Sequence, residues 1–435
     1  MLGCVRDANV SHKNAMKIPL LDLRCQYLRM KEEIHQALED VLESQQFILG
    51  SKVEALERAI AEYCGCAHAV GVSSGTDALI VALMSAGIGP GHGVITTPFT
   101  FFATAGSIVR VGARPFFVDI DPQSYTMSPE ALQGFLDEEC RWEADRGRLV
   151  HRQSGVTIRA LIPVHLFGQC VDMAPLLTGA RKYGLLVIED AAQAIGAHYP
   201  FPDEGESKRA GSMGEFGCFS FFPTKNLGAY GDGGMVTTND AASAEAMRIL
   251  RVHGAKPKYD HHLVGGNFRL DALQAAVLLA KLKYVDGWSA GRRRNARLYD
   301  GLFSRSGIVE RGWVTLPRSM WEAGFSKHIS SPPADGFNGT RHPHVYNQYV
   351  IRARRRDEIR AYLTQEGIGT EIYYPLPLHR QRCFSDLGYR MGDFPESEKA
   401  AAQTLALPIY PELAQNQLEY VVDRIVAFYS GRAST

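Results

Sequence analysis

The sequence lacks an excess of charge of either sign, and it lacks long apolar runs. Its 47 Lys and Arg residues equal its 47 Asp and Glu residues, so the formal net charge is zero. This balance gives no global basic surface for a nucleic acid or an anionic membrane, and we expect neither as a partner. No apolar run reaches bilayer-spanning length, and residues 1–17 lack the hydrophobic core of a signal peptide. We therefore expect a cytoplasmic protein.

Cysteine is sparse, and the glycine patterns of nucleotide-binding loops are missing. Of the eight cysteines, only Cys64 and Cys66 lie close together, and this spacing fits neither a zinc knuckle nor a redox pair. We interpret the cysteines as reduced packing residues and expect no metal site. Without a Walker loop or a dinucleotide fingerprint, nucleoside triphosphate and nicotinamide chemistry lose support.

What is present is an ordinary globular composition, 45% hydrophobic and 22% charged, in a chain long enough for two domains. Short apolar segments alternate with amphipathic helical patterns, which predicts an α/β domain with a largely parallel sheet. Ligands bind beyond the carboxyl ends of the strands in such sheets, so chemistry is expected in the loops there. The predicted strands are 69–72, 94–97, 115–119, 160–164, 185–188, 218–222 and 235–238.

The domain prediction has a tail over 1–17, a large domain over 18–285 and a smaller α+β domain over 286–435. In the smaller domain we predict strands at 347–351 and 369–373 and helices near 356–366, 397–405 and 416–428. Three segments are interpreted as surface insertions without chemistry: 137–157, 200–209 and 318–342. The arginine cluster 292–294 is interpreted as a solvated helix face.

Lys225 lies between an apolar strand-like segment and a glycine-rich run. Desolvation by Phe219, Phe221 and Phe222 would depress the pKa of its amine and free the lone pair, as a Schiff-base lysine requires. A solvated loop lysine is the commoner situation, however, so Lys225 needs support from the rest of the chain.

Two loops after predicted strands offer that support. Ser74, Gly75 and Thr76 run straight into a helix, and backbone amides at a helix start suit a phosphate. A simple helix cap is a compatible alternative. Phe101 follows another strand and is placed either to stack on a planar cofactor or to pack in the core.

Two carboxylates, Glu189 and Asp190, end an apolar strand, and their burial requires a positive partner. Because side chains alternate along a strand, only one of them can face a given site. His165 also ends a strand and is either functional or a hydrogen-bonded structural residue. A bound pyridoxal 5′-phosphate (PLP) would account for all of these features. Its phosphate suits the helix start, its ring suits the aromatic residue, its protonated pyridine nitrogen suits the carboxylate, and its aldehyde suits a desolvated lysine.

Four segments, 74–79, 189–193, 219–226 and 266–271, resemble the sugar aminotransferases of the DegT/DnrJ/EryC1/StrS family. The resemblance implies an aspartate aminotransferase-like PLP enzyme of fold type I. It implies a mostly parallel seven-stranded sheet, a smaller α+β C-terminal domain, and a homodimer with shared active sites. The cofactor is expected to be PLP and its amino form.

By this resemblance, Lys225 carries the cofactor as a Schiff base and Asp190 pairs with the pyridine nitrogen, and these two are the catalytic residues. Gln193 is expected at the phenolic oxygen, and Phe101 on the ring. The phosphate contacts are expected from Ser74, Gly75, Thr76, Ser220 and, across the dimer, Asn267.

The segment from Tyr230 to Gly234 resembles that of members that aminate C3 of a UDP- or dTDP-linked 3-keto sugar. L-glutamate is the expected amino donor, within amino-sugar biosynthesis for a polysaccharide or glycoconjugate. Arg269, Tyr373 and Tyr374 are candidate substrate contacts, or else ordinary packing and ion-pair residues. The alternatives are a 4-keto aminotransferase, another fold type I PLP enzyme, or a non-catalytic regulatory protein.

Overall fold

The computed structural model describes residues 16–201, 206–319 and 342–431. The helices are α1 (Leu23–Ser44), α2 (Ser51–Cys64), α3 (Gly75–Ser85), α4 (Ala103–Arg110), α5 (Pro129–Gly134), α6 (Met173–Lys182), α7 (Ala241–Leu250), α8 (Ala272–Leu282), α9 (Val285–Ser306), α10 (Arg356–Gln365), α11 (Pro395–Gln403) and α12 (Gln415–Tyr429). The strands are β1 (His68–Val72), β2 (His92–Thr96), β3 (Arg114–Phe117), β4 (Cys140–Glu143), β5 (Arg148–His151), β6 (Thr157–Leu161), β7 (Leu186–Asp190), β8 (His198–Phe201), β9 (Glu206–Arg209), β10 (Phe216–Ser220), β11 (Gly234–Thr238), β12 (Val314–Thr315), β13 (Tyr349–Ala353) and β14 (Thr404–Leu407).

The large sheet has its main strands in the order β1-β11-β10-β7-β6-β2-β3. Strands β10, β7, β6, β2 and β3 run parallel to one another, and β11 is antiparallel to both β1 and β10. Apolar side chains from both faces are buried under helices, as expected for strands that read as continuous hydrophobic runs. The prediction of an α/β fold with seven mostly parallel strands is confirmed.

Two of the predicted surface insertions contain strands instead of irregular loops. Strands β4 and β5 form a hairpin within 137–157, and β5 pairs with β6, so this hairpin extends the large sheet to nine strands. Strands β8 and β9 pair across 198–209. Charged residues suggested exposed insertions, but these hairpins also carry buried side chains, which include Cys140, Leu149, Val150, Tyr199 and Phe201. The third segment, 318–342, lies outside the described residues apart from its ends.

A second core forms around strands β12, β13 and β14 with α9, α10 and α12. The prediction of a strand at 369–373 is wrong, because only Glu371 makes an isolated bridge, to Ala406. Residues 404 and 405 were predicted to end a helix but belong to β14, because pairing with β13 overrides their helical pattern. Ile18 also packs in this core and pairs with Ile368. The domain bounds stay a prediction.

Within the arginine cluster on α9, only Arg294 is exposed, so the prediction of a solvated face is wrong for the other two arginines. Arg292 and Arg293 are 4% and 6% exposed. The Arg292 guanidinium donates to the carbonyl of Ile409 at 2.8 Å and to those of Tyr346 and Asn347. A guanidinium that binds carbonyls of two other segments joins both of them to α9, which charge patterning along the sequence does not reveal.

Among the described helices, none is long and apolar enough to cross a membrane. The seven described cysteines are free thiols, and Cys64, Cys140, Cys170 and Cys218 are buried as packing residues. Cys383 is exposed, so it does not fit that interpretation. No group of three or more potential metal ligands occurs within the described part of the chain.

Candidate active site

A cavity of about 450 Å³ opens at the carboxyl ends of β1, β2, β6, β7 and β10. This is the edge at which α/β sheets bind ligands. Gln348, Tyr373 and Tyr374, from the C-terminal part of the chain, also line this cavity. The predicted site residues that line the cavity are Ser74, Gly75, Thr76, Phe101, Asp190, Gln193, Ser220, Lys225, Tyr373 and Tyr374.

The first residues of helix α3 form one wall of this cavity. Ser74 is the N-cap, and its Oγ accepts from the Asp77 amide at 3.0 Å. A Cβ added to Gly75 would lie 2.6 Å from the Cβ of Ser220, so only glycine permits this close approach. The uncapped amides of the helix start and the Ser220 hydroxyl thus lie together, as an anion requires. The capping interpretation of Ser74 is confirmed, and its contact with a phosphate stays a prediction.

Asp190 ends β7 with its carboxylate at the cavity, 6% exposed. Its Oδ2 accepts from Thr104 Oγ1 at 2.8 Å, and its Oδ1 accepts from the Ala192 amide at 3.2 Å. Burial raises the pKa of Asp190, and the hydrogen bond from Thr104 opposes that rise. A buried carboxylate held in this way favours a cationic partner in the cavity.

Glu189 points to the opposite side of the strand, away from the cavity. Its carboxylate accepts from the amides of Gly211, Met213 and Gly214 at 2.7, 2.6 and 2.7 Å. It also accepts from His165 Nε2 at 2.9 Å, while His165 Nδ1 accepts from the Val171 amide. The ring of His165 borders the cavity, but both of its nitrogens have protein partners. Alternation therefore gives Glu189 a structural role and Asp190 the site, as the sequence predicted.

Lys225 is half-buried and lines the cavity. Burial lowers the pKa of its amine to about 8, and the nearby negative charge of Asp190 opposes this shift. Phe222 borders the cavity and is 51% exposed, whereas Phe219 and Phe221 are in the core. The predicted desolvation of Lys225 is present. Of the three phenylalanines, only Phe222 lines the cavity beside it.

Gln193 and the aromatic residues occupy the wall that faces the second core. Gln193 Oε1 accepts from the Phe167 amide at 2.6 Å, and its Nε2 donates to the Tyr374 hydroxyl at 3.2 Å. The Phe101 ring centroid lies 6.0 Å from that of Tyr374, and Phe101 is 57% exposed. An exposed ring at a cavity mouth is available to stack on a planar ligand.

Asn267 and Arg269 do not line the cavity. Asn267 is exposed and bridges Val252, and Arg269 bridges Val72 at the end of β1. The Arg269 Nε is shielded from solvent and has no hydrogen-bond partner among the described residues. The structure therefore brings ten of the twelve predicted residues to one cavity and leaves these two beside it.

Several cavity residues were missed by sequence reasoning. They include Thr100, Thr224, Asp232 and Gln348. Thr104 was also missed, although it holds Asp190, and its Oγ1 lies 3.2 Å from that of Thr100. A threonine at the start of a helix is common, so the sequence carries no signal that it contacts a carboxylate on another strand. Asp232 had a signal, since it lies in the glycine-rich run that the sequence singled out.

These residues fit a bound PLP. The helix start with Ser220 suits the phosphate, the buried Asp190 suits a protonated ring nitrogen, and the low-pKa amine of Lys225 suits an aldehyde. The fold and the site together define a PLP-dependent enzyme of fold type I.

Comparisons with known proteins agree with this class. The profile of the DegT/DnrJ/EryC1/StrS aminotransferase family matches residues 28–426. The chain is 46% identical to a "Pleiotropic regulatory protein" of Geobacillus stearothermophilus over 95% of this chain and 99% of that protein. It is 38% identical to a UDP-N-acetyl-3-dehydro-alpha-D-glucosamine 3-aminotransferase of Acidithiobacillus ferrooxidans, with 92% and 95% covered.

A solved structure gives the same result. The crystal structure of S. venezuelae DesV in complex with a ketimine intermediate superposes with a TM-score of 0.80, at 35% identity, covering 96% of this chain and 99% of that one. The chain belongs to the DegT/DnrJ/EryC1/StrS aminotransferase family. The predictions of family, PLP dependence and the transaminase class are confirmed.

Proposed function

We propose that this protein transfers an amino group from L-glutamate to C3 of a UDP- or dTDP-linked 3-keto sugar. The observation that carries the proposal is the convergence of Lys225, Asp190 and the start of α3 on one cavity. Relatives that support C3 include the UDP-linked 3-aminotransferase and a dTDP-3-amino-3,4,6-trideoxy-alpha-D-glucose transaminase of Streptomyces venezuelae, 35% identical over 95% of this chain.

The residues of the cavity divide the chemistry among them. When bound, PLP supplies an aldehyde that condenses with amines and a ring that accepts electrons. Lys225 would hold the aldehyde and would accept the proton removed from the donor α-carbon, because burial lowers the pKa of its amine to about 8 and so gives it a larger neutral fraction than an ordinary lysine has. Asp190 would keep the ring nitrogen protonated. Ser220, Gly75 and Thr76 would hold the phosphate.

The sugar is proposed to lie between the mouth of the cavity and the second core. Tyr373 and Tyr374 line that side, and Asp232 and Gln348 add polar groups for hydroxyl recognition. Arg269 lies beside the site, and its shielded Nε lacks a partner among the described residues. We assign Arg269 to the substrate, since an anionic ligand would complete its hydrogen bonds.

A homodimer with shared sites forms part of the proposal. Near Asn267, Leu263 and Val264 are 44% and 90% exposed, and Tyr259 is 81% exposed. Apolar side chains exposed together in one segment favour a protein interface. Asn267 lies outside the cavity of its own chain, which suits a residue that reaches the phosphate of a partner subunit. We also propose a cytoplasmic location, in line with the free thiols among the described cysteines.

The experiment is a substrate panel. Purified protein with PLP and L-glutamate is given UDP- and dTDP-linked 3-keto and 4-keto sugars, and the amino sugar and 2-oxoglutarate are measured by mass spectrometry. We expect equal amounts of both products with a 3-keto sugar and none with Lys225→Ala. Amination of 4-keto sugars alone would refute the C3 assignment.

A regulatory role is the second candidate, because the relative at 46% identity is named as a regulatory protein. It predicts that the protein binds PLP but turns over no sugar of the panel with glutamate. The complete cavity favours the enzyme, since regulation alone requires neither the low pKa of Lys225 nor the buried Asp190.

A further inference from the structure

Helix α8 contacts the segment that follows Lys225 at two points. The Gln274 Oε1 accepts from the Tyr230 amide at 2.8 Å, and the Lys281 Nζ donates to the Gly228 carbonyl. Gln274 and Lys281 are separated by about two helical turns, so both face the same side of α8. Two side chains of one rigid helix therefore hold both ends of the segment 228–230.

Lys281 is an unusual residue to find in this place. It is 2% exposed, and no carboxylate lies within ion-pair distance of it in the described part of the chain. Its Nζ lies 5.2 Å from the ring centroid of Tyr230 and 5.9 Å from that of Trp288. Burial lowers the pKa of this amine to about 8. A buried lysine without a counter-ion destabilises the fold, so a residue of this kind calls for a functional explanation.

The segment that α8 holds is coupled tightly to Lys225. The Lys225 amide donates to the Phe222 carbonyl at 2.9 Å, and the Ala229 amide donates to the Phe221 carbonyl at 2.8 Å. A Cβ on Gly228 would lie 2.2 Å from the Pro223 carbonyl oxygen. Residues 222–229 thus form a closed loop in which a shift of Gly228 moves the residues before it, Lys225 included.

We propose that Gln274 and Lys281 form a clamp on residues 228–230 that fixes the adjoining loop 222–229 and thereby sets the position and desolvation of the Lys225 amine. Lys281 is a positioning residue that acts on the reaction through the Gly228 carbonyl. The inference rests on the proposed role of Lys225, but the effect of the clamp on the Lys225 amine can be measured in the apoprotein alone. If the clamp is released, water reaches the Lys225 amine and its pKa rises toward that of an ordinary lysine.

The test measures the pKa of Lys225 in apoprotein by competitive acylation across pH, read out by peptide mass spectrometry. Lys281→Met keeps the apolar stem and removes the donor. We expect a rise of about one unit in the pKa of Lys225 in this variant. Lys283→Met is the matched control: Lys283 is exposed, pairs with Glu33 at 2.6 Å just beyond α8, and should leave the pKa of Lys225 unchanged.

Thermal unfolding shows whether each variant is folded. If Lys281→Met does not fold, Gln274→Leu releases the other end of the segment and is expected to raise the pKa of Lys225 in the same way. A folded variant that loses stability but keeps the wild-type pKa of Lys225 would overturn the clamp. Absence of amination by the wild type would instead count against the proposed function, because the acylation measurement uses neither cofactor nor substrate.

Discussion

The amine of Lys225 combines a low pKa with an open position at a cavity, and its titration is directly measurable. Only the neutral amine attacks an aldehyde, and the pKa of about 8 places its deprotonation near neutral pH. We expect the rate of Schiff-base formation between apoprotein and PLP to rise with pH and to level off above about 8. Stopped-flow absorbance measures this rate.

The variant Lys225→Ala should show no visible Schiff-base band, and the surface variant Lys283→Ala should show it. An identical band in both variants would contradict the role of Lys225.

Thr104 determines how Asp190 holds its charge. Its hydroxyl donates to Asp190 Oδ2 at 2.8 Å and lowers the pKa of that carboxyl against the effect of burial. Thr104→Val keeps the shape but removes the donor, so the pKa of Asp190 rises and the carboxylate protonates at a higher pH. We expect kcat to fall about tenfold, corresponding to the loss of one charge-assisted hydrogen bond, and to fall further as the pH decreases.

The control for this prediction is Thr104→Ser, which retains the hydroxyl. Its kcat and pH profile should stay close to those of the wild type. A Thr104→Val enzyme whose pH profile matches the wild type would show that Thr104 does not act through Asp190.

At the scale of elements, the start of helix α3 depends on how closely it approaches β10. The Cβ of Gly75→Ala would meet the Ser220 Cβ at 2.6 Å, so the helix start must move away from the strand. We expect a loss of about 1–3 kcal/mol in the free energy of unfolding and weaker PLP binding. Calorimetry and a PLP titration measure the two effects. In Gly287→Ala on α9 the added Cβ meets nothing within 4 Å, so neither quantity should decrease.

Prediction of the elements from sequence succeeded where a segment had one dominant pattern. All seven predicted strands of the large sheet are present, because buried parallel strands read as short apolar runs. The prediction failed where pairing with another strand decides whether a segment forms a strand. Residues 404 and 405 continue a helical pattern but lie beside β13, and 140–151 forms a hairpin whose second strand pairs with β6. Local sequence does not contain the partner strand, so it cannot choose between these outcomes.

At the scale of the whole molecule, the exposed segment 259–264 should make a subunit interface. Val264 is 90% exposed, and a carboxylate there would be costly to bury in an apolar contact. We expect Val264→Asp to shift the protein from dimer to monomer in sedimentation velocity, with loss of PLP affinity if Asn267 reaches the partner's site. Met391→Asp is the control, since Met391 is an exposed apolar residue, at 65%, on a separate loop. An unchanged dimer in Val264→Asp would place the interface elsewhere.

The sequence by itself determined the class of the fold, the cofactor and many of the residues that line the cavity. These follow from local features: apolar strands, a helix start with small and hydroxyl-bearing residues, a carboxylate at a strand end and a lysine beside a glycine run. Their order along the chain was sufficient because the carboxyl ends of parallel strands meet at one edge of the sheet.

Only the tertiary structure decided which side chains hold the functional ones in place. Thr104 binds Asp190, and Lys281 binds the Gly228 carbonyl in the segment after Lys225; both contacts join residues that are distant in sequence. No local pattern marks such pairs, because a buried polar group finds its partner through the packing of the whole chain. The same packing buries Lys225 and so sets the pKa on which its chemistry depends.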